Sequence, residues 1–185
     1  DIAEGRFEYD DEGRLCYRGQ PISSGFKIGS WGEDKPRHER EINALVSPKS
    51  IAVIGASGKG GLGYSIIHNA KLADFNGALY VVNRNGEEVD GVAAYKSLLE
   101  VPGSVDLAVL AVPSGSILDV VKDCGEKGVK AVVCITAGFR ETGADGAENE
   151  KKLQVLLDQY NIRMLGPNCM GILNTDESVR LNTTM

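Results

Sequence analysis

Residues 51–61 read IAVIGASGKGG, an apolar run that leads directly into a loop rich in glycine. The apolar residues from Ile51 to Ile54 predict a β-strand, and the spacing that begins near Gly63 predicts a helix after the loop. Glycines in such a loop let the backbone turn tightly and approach a ligand closely. Because the free N–H groups and the dipole at a helix start favour anions, this strand–loop–helix unit predicts a phosphate-binding site.

From Pro48 onward, the chain alternates β-branched apolar runs with segments of helical spacing. The apolar runs predict five strands, over Ile51–Gly55, Ala78–Val82, Val105–Val112, Ala131–Ile135 and Ile162–Leu165. The segments between them predict four helices, over Gly63–Ala73, Ala94–Leu99, Ser116–Lys127 and Ala147–Tyr160. Because strand–helix–strand crossovers are almost always right-handed, this pattern predicts an α/β fold with a doubly wound, five-stranded parallel sheet of the Rossmann type. Ligand sites are expected at the carboxyl ends of the strands.

The N-terminal part of the chain has a different composition, because it is polar and contains scattered glycines. We predict an N-terminal extension or linker over residues 1–47 and a Rossmann-like domain over residues 48–185. Within the extension, apolar alternation in residues 7–9 and 15–17 around an acidic, glycine-containing turn predicts a β-hairpin. Residues 38–45 predict a short helix.

The composition limits the classes of function. A chain of 185 residues suits one domain with an appendage, and a net charge of −6 argues against nonspecific nucleic-acid binding. No apolar run approaches the roughly 18 to 20 residues that span a bilayer, and the N-terminus lacks the layout of a signal peptide. We therefore expect a cytoplasmic protein with no membrane or nucleic-acid partner. The four cysteines have no CxxC spacing, which disfavours a metal site.

Polar residues in and near the glycine loop indicate which kind of nucleotide the predicted site would bind. Ser57 can donate a hydrogen bond to a phosphate oxygen and Lys59 can add a positive charge, but no Gly-Lys-Ser/Thr sequence closes the loop as in a Walker motif. An NAD-binding domain would place an acid after the second strand, where this chain has Asn83, Arg84 and Asn85. A cation there suits a phosphorylated ribose, as in NADP or coenzyme A. The alternative that Arg84 is a solvated surface residue stays open.

Four segments are informative when their order and spacing are taken together. They are Ser47–Gly58, Asp106–Pro113, Ile135–Glu141 and Leu165–Gly171. Together they resemble the coenzyme A-binding domain of the NDP-forming acyl-CoA synthetases, a family that includes the succinyl-CoA synthetase α subunit and ADP-forming acetyl-CoA synthetase. The resemblance covers about Val46 to Met185. It implies that coenzyme A is the cofactor and that the chain is the coenzyme A-binding domain of an acid–thiol ligase.

The same resemblance assigns parts of coenzyme A to residues of this chain. The diphosphate would lie along the glycine loop, which comprises Gly55, Ser57, Gly58, Lys59, Gly60 and Gly61. The phosphorylated ribose would lie near Asn83 and Arg84. The nucleotide and the pantetheine would follow Val112, Pro113, Ile135, Thr136 and Ala137. The thiol would approach Asn168 and Cys169.

Besides the N-terminal extension, the chain departs from this family in two respects. The family often reads Asn-Pro-Lys after the second strand, so Asn85 takes the position of the lysine and Arg84 supplies a neighbouring, non-equivalent charge. The family's catalytic phosphohistidine has no counterpart, because neither His38 nor His68 follows a loop suited to phosphoryl transfer. We therefore expect no catalytic residue in this chain. The resemblance implies partner domains of flavodoxin-like and ATP-grasp type, in a homo- or hetero-oligomer.

Two alternative functions stay open at this point. The chain could be a stand-alone or acyltransferase-fused module that binds or senses coenzyme A, or it could be the NADP-binding domain of an oxidoreductase. For Glu141, orientation of a partner domain's histidine competes with simple capping of a helix start. A nucleophilic role for Cys169 is disfavoured, because no His or Asp lies near it in sequence to activate the thiol.

Overall fold

The computed structural model describes residues 7–9, 15–17, 20–21, 35–58 and 60–185. The chain divides into two compact units, residues 1–39 and residues 40–185. Within the described residues, no helix has the length and apolar composition that a membrane span requires.

The first unit contains a small antiparallel sheet of three strands in the order β1-β2-β3. The strands are β1 (Phe7–Tyr9), β2 (Leu15–Tyr17) and β3 (Gln20–Pro21). Phe7 lies opposite Tyr17 and Tyr9 lies opposite Leu15, which confirms the predicted hairpin. Its turn lies outside the described residues. The predicted short helix is also confirmed, since α1 spans Lys35–Val46.

The second unit alternates strands and helices. Its elements are β4 (Ser50–Ile54), α2 (Leu62–Leu72), β5 (Ala78–Val82), β6 (Ala94–Tyr95), β7 (Leu107–Leu110), α3 (Ile117–Lys127), β8 (Ala131–Cys134), α4 (Ala144–Tyr160) and β9 (Arg163–Leu165). A hairpin of β10 (Leu173–Asn174) and β11 (Leu181–Asn182) follows. Short 3₁₀ helices span Leu98–Glu100, Ser114–Ser116 and Arg140–Thr142.

The main sheet has six parallel strands in the order β6-β5-β4-β7-β8-β9. The chain runs from β4 outward to β5 and β6, and then returns to build the other half from β7 to β9. This order confirms the predicted doubly wound α/β fold. The direction of winding changes between β4 and β7, and crevices at such a switch point are the usual ligand sites of open α/β sheets.

The prediction of a helix over Ala94–Leu99 is wrong. Ala94 and Tyr95 pair with Val81 and Val82 as strand β6, and a 3₁₀ turn follows in which the Ser97 hydroxyl accepts a hydrogen bond from Leu99 N at 3.2 Å. The sheet therefore has six strands where five were predicted. Six residues are too few to form a helix that is stable without strong packing, and sheet pairing meets the backbone's hydrogen-bonding needs instead.

Helices cover both faces of the sheet, so its central strands are fully buried. Alternate residues of β4 point to opposite faces: Ala52 and Ile54 pack with α3 and α4, whereas Ile51 and Val53 pack with α2. This arrangement explains why the strands read as continuous apolar runs instead of alternating with polar residues. The loops at the strand ends are therefore held on a close-packed frame.

Candidate functional site

Gly55 is the first residue after β4, and it stands where β4 meets its neighbours on both sides. Its backbone has φ of +95°, and its N–H donates to the Val82 carbonyl at 2.9 Å. A Cβ at this position would lie 2.6 Å from both the Ala111 carbonyl oxygen and Val112 Cγ1. Both the backbone conformation and the close approach therefore require glycine.

The glycines farther along the loop have a different environment. Gly58, Gly60 and Gly61 also have positive φ, yet a Cβ on any of them would meet no described atom within 4 Å. Gly61 precedes α2 and provides no side-chain cap for its first turn. At these three glycines the backbone in front of the helix start is therefore not covered by any described side chain, as a diphosphate cradle requires. Lys59 lies outside the described residues.

A cavity of about 560 Å³ opens at the switch point, between the ends of β4, β5 and β7 and the start of α3. Six of the predicted site residues line it, namely Gly55, Ser57, Asn83, Arg84, Val112 and Pro113. Residues that the sequence reasoning did not select also line it, among them Lys96, Ser97, Ser116, Asp119 and Asp123. The structure therefore brings the glycine loop, the cation after β5 and the Val-Pro loop together in one cavity.

Asn83 and Arg84 differ in what their side chains can do. The Asn83 amide closes its own loop, because Nδ2 donates to the Glu87 carbonyl at 2.7 Å and Oδ1 accepts from Glu87 N at 3.0 Å. Arg84 is exposed, and within the described residues its guanidinium forms no hydrogen bond or ion pair. Asn83 thus shapes the loop, and Arg84 is the side chain that remains available to an anion.

The other predicted residues form a second group beside the cavity. Thr136 Oγ1 donates to the Val112 carbonyl at 2.7 Å, and Asn168 N donates to the Thr136 carbonyl at 3.0 Å. Cys169 Sγ lies 3.4 Å from the Cys134 carbonyl oxygen. These bonds join the loops after β7, β8 and β9 into one surface that continues from the cavity wall at Val112.

Exposure within this second group is uneven. Ile135 and Thr136 have buried side chains, whereas Ala137 and Asn168 are exposed and Cys169 is half-buried. The side chains of Ile135 and Thr136 therefore hold the loop in place instead of facing solvent. None of these five residues lines the cavity itself.

The Glu141 side chain forms a hydrogen bond with the backbone of the loop after β8. Its carboxylate accepts a hydrogen bond from Gly138 N at 2.7 Å, and this backbone N–H is the main reason that the pKa of Glu141 is held below its usual value. The contact is of the capping kind, although it is made to a loop amide and not to a long helix. Within the described residues, no cluster of three His, Cys, Asp or Glu side chains suits a metal ion.

Lys96, Asp119 and Asp123 were missed for identifiable reasons. The sequence predicts a helix over Ala94–Leu99, which includes Lys96. In the structure Lys96 follows strand β6 and so lies at a strand end, where functional side chains concentrate. Asp119 and Asp123 lie on α3, four residues apart, and so share one face of that helix. The spacing of the two acids was a usable signal, but only the packing of α3 shows that their face borders the cavity.

Comparison with known proteins gives consistent matches over this unit. Residues 49–175 match the family described as "CoA binding domain". The ADP-forming acetate–CoA ligase of Methanocaldococcus jannaschii is 45% identical over 155 residues, which cover 83% of this chain and 20% of that protein. The α subunit of the ADP-forming acetate–CoA ligase II of Pyrococcus furiosus is 50% identical over 144 residues, covering 77% of this chain and 31% of that subunit.

A solved structure agrees with the fold. The dinucleotide-forming acetyl-coenzyme A synthetase 1 of Ca. Korarchaeum cryptofilum, in complex with phosphate and ADP, aligns with a TM-score of 0.73 at 39% identity. The alignment covers 78% of this chain and 31% of that one. This chain thus spans between a fifth and a third of the length of these relatives. Its fold, its loops and these matches agree, and the chain belongs to the CoA-binding domain family, in the form found in ADP-forming acyl-CoA synthetases.

Proposed function

We propose that this chain holds coenzyme A for an NDP-forming acyl-CoA synthetase and presents its thiol to the reacting acyl group. The observation that carries the proposal is the cavity at the switch point, where Gly55 and Ser57 of the glycine loop meet Arg84, which has no partner among the described residues. Val112 also lines this cavity, and its carbonyl accepts a hydrogen bond from Thr136 in the loop after β8. Coenzyme A has the matching order of parts, with a phosphorylated ribose, a diphosphate and a long thiol arm.

Within this proposal each part of the site has one task. The backbone N–H groups of the glycine loop and of the α2 start bind the diphosphate, together with the Ser57 hydroxyl. Arg84 binds the phosphate on the ribose. The exposed residues Pro113, Ala137 and Asn168 line a path for the pantetheine arm toward Cys169. Asn83, Ile135 and Thr136 position these loops through the hydrogen bonds and packing described above.

The reaction proposed for the whole enzyme converts acyl-CoA, phosphate and NDP to the free acid, coenzyme A and NTP. Binding the thiol end in one orientation lowers the entropic barrier in both directions: it holds the thioester carbonyl in place for attack by phosphate, and in the reverse direction it holds the thiol near the acyl phosphate that it attacks. A phosphorylated histidine and the nucleotide-binding residues are assigned to partner domains of flavodoxin-like and ATP-grasp type. Support comes from relatives named as acetate–CoA and 4-hydroxybutyrate–CoA ligases, of which this chain matches 20% to 31% of the length. The expected cytoplasmic setting stays a prediction.

Titration calorimetry with the full chain tests the ligand. We expect coenzyme A to bind more tightly than dephospho-coenzyme A, NADP or NAD, because only coenzyme A combines the 3′-phosphate with the thiol arm. A clear preference for NADP would contradict the proposal and favour the oxidoreductase alternative. Addition of purified partner domains then separates a ligase from a sensing module, since only a ligase forms acyl-CoA from acid, coenzyme A and NTP.

Alkylation of Cys169 tests where the thiol arm lies. In a Cys16→Ser background, iodoacetamide at neutral pH should modify Cys169 first, because Cys124 and Cys134 are buried and burial raises the pKa of the Cys134 thiol to about 12. Burial raises the pKa of the Cys124 thiol as well. Acetyl-coenzyme A should slow the modification of Cys169, which mass spectrometry of peptides would measure.

Adenosine 3′,5′-bisphosphate is the matched control for this labelling, because it lacks the diphosphate and the arm. It should protect Cys169 far less than acetyl-coenzyme A does at equal occupancy. Coenzyme A itself is unsuitable as the protecting ligand, since its free thiol consumes the reagent. Equal labelling rates with and without acetyl-coenzyme A would place the arm elsewhere.

A further inference from the structure

Charged residues line the cavity on two sides, and Glu87 lies on the same side as the two cations. Arg84 and Lys96 follow the ends of β5 and β6, whereas Asp119 and Asp123 belong to α3. Asp119 already has a partner in Lys122 at 3.4 Å, and burial together with the neighbouring acids raises the pKa of Asp123. The β5–β6 side thus has two cations and one acid, whereas the α3 side has two acids, so an anionic group in this cavity is attracted to the β5–β6 side and repelled by α3.

Strand β6 fixes the position of Lys96 on the β5–β6 side. Tyr95 pairs with Val82, and Asn83 N donates to the Tyr95 carbonyl at 3.0 Å, so Lys96 follows β6 directly beside the segment that carries Arg84. The Lys96 backbone N–H is held by Glu100 Oε2 at 3.2 Å. The two cations thus arise from adjacent strand ends and are brought together only by sheet pairing.

The Lys96 side chain is packed along its stem, and its ammonium has no partner in the part of the chain that the structure describes. A Cβ on Gly86 would lie 3.2 Å from Lys96 Cγ and 3.4 Å from Cε, so the stem packs closely over this glycine. Among the described residues, the Lys96 ammonium forms no hydrogen bond or ion pair. The nearby acid of the same loop, Glu87, accepts a hydrogen bond from Asn85 at 3.2 Å.

We propose that Lys96 is a specificity-determining residue that binds the ribose 3′-phosphate of coenzyme A together with Arg84. This inference rests on the proposed function, whose ligand it takes as given. A phosphate monoester carries between one and two negative charges and has three acceptor oxygens, so a planar guanidinium and a compact ammonium can bind it from two sides. Lys96 thereby sets the preference for coenzyme A over dephospho-coenzyme A.

Calorimetry on the full chain tests this assignment with both ligands. Lys96→Ala should weaken coenzyme A binding by about 10- to 100-fold, the range for loss of one charge-assisted hydrogen bond, and leave dephospho-coenzyme A binding nearly unchanged. Lys96→Arg should keep most of the preference for coenzyme A. Lys152→Ala is the matched control, because Lys152 is an exposed lysine on α4 that does not line the cavity.

The outcomes separate this inference from the function on which it rests. An equal loss of affinity for both ligands in Lys96→Ala, or no loss for either, would overturn the role of Lys96 while leaving coenzyme A as the ligand. Failure of the unmodified chain to bind either ligand would overturn the proposed function itself. A smaller dependence of coenzyme A affinity on salt in Lys96→Ala would support the ionic contact, since fewer charges then meet the phosphate.

Discussion

Replacing Gly55 with alanine is expected to lower the free energy of unfolding by roughly 2 to 5 kcal/mol and to abolish coenzyme A binding. The left-handed backbone conformation, with φ of +95°, disfavours any residue with a Cβ. The larger part of the loss comes from collision, because the new methyl group would lie 2.6 Å from the Ala111 carbonyl oxygen. This oxygen belongs to the residue after the central strand β7, whose N–H donates to the Ile54 carbonyl, so it cannot move away as a flexible side chain can.

Two glycines of the same chain provide the controls for Gly55→Ala. Gly58→Ala introduces a Cβ at φ of +54° in open space, so it should show the conformational cost alone, about 1 kcal/mol. Gly115→Ala meets no described atom and needs no left-handed backbone, so its stability should stay close to that of the parent chain. Urea unfolding followed by circular dichroism measures all three. A loss for Gly55→Ala no larger than that for Gly58→Ala would contradict the collision.

Gly146→Ala is expected to cost about 3 kcal/mol of stability, against the sign that helix propensity predicts. Gly146 lies in the first turn of α4, where alanine is intrinsically favoured over glycine by about 1 kcal/mol. A Cβ at this position, however, would overlap the Phe139 carbonyl oxygen and Thr142 Oγ1. Because Thr142 N and Oγ1 both donate to that carbonyl at 2.8 Å, relief of the overlap would break the turn.

Helix propensity and steric overlap predict stability changes of opposite sign for Gly146→Ala, so the measured sign shows which effect is larger. If chemical unfolding shows that the variant is more stable than the parent chain, the prediction is contradicted. Such a result would mean that α4 can shift and that its contact with the 139–142 turn contributes little to the free energy of unfolding. The same variant should also weaken coenzyme A binding, because the turn carries Glu141, whose carboxylate holds Gly138 N. Gly115→Ala again serves as the control for the substitution itself.

Local signals were sufficient to predict most of the fold. The strands β4, β5, β7, β8 and β9 and the helices α2, α3 and α4 were each predicted within a few residues, because each strand is an apolar run closed by turn residues and each helix has an apolar stripe. Strand β6 was not predicted, because two residues are too few to show an alternating pattern. Ala94–Tyr95 became a strand because the edge of β5 was available for pairing.

The candidate site was predicted unevenly for the same reason. The order of the loops identified the family and the glycine loop, which depends on residues adjacent in sequence. The same information could not reveal that Thr136 ties the Val112 loop to the Asn168 loop, or that Asp119 and Asp123 face the cavity. Those facts depend on contacts between segments far apart in the chain.

By itself, the sequence determined that this chain folds as a doubly wound sheet with a glycine loop between β4 and α2, because strand, turn and helix signals are local. Only the tertiary structure decided which charges share the cavity with that loop. Arg84 and Lys96 are twelve residues apart, and the pairing of β5 with β6 brings the segments that carry them to the same cavity. The physical reason is that an electrostatic environment depends on distances in space, and these are set by strand order and helix packing.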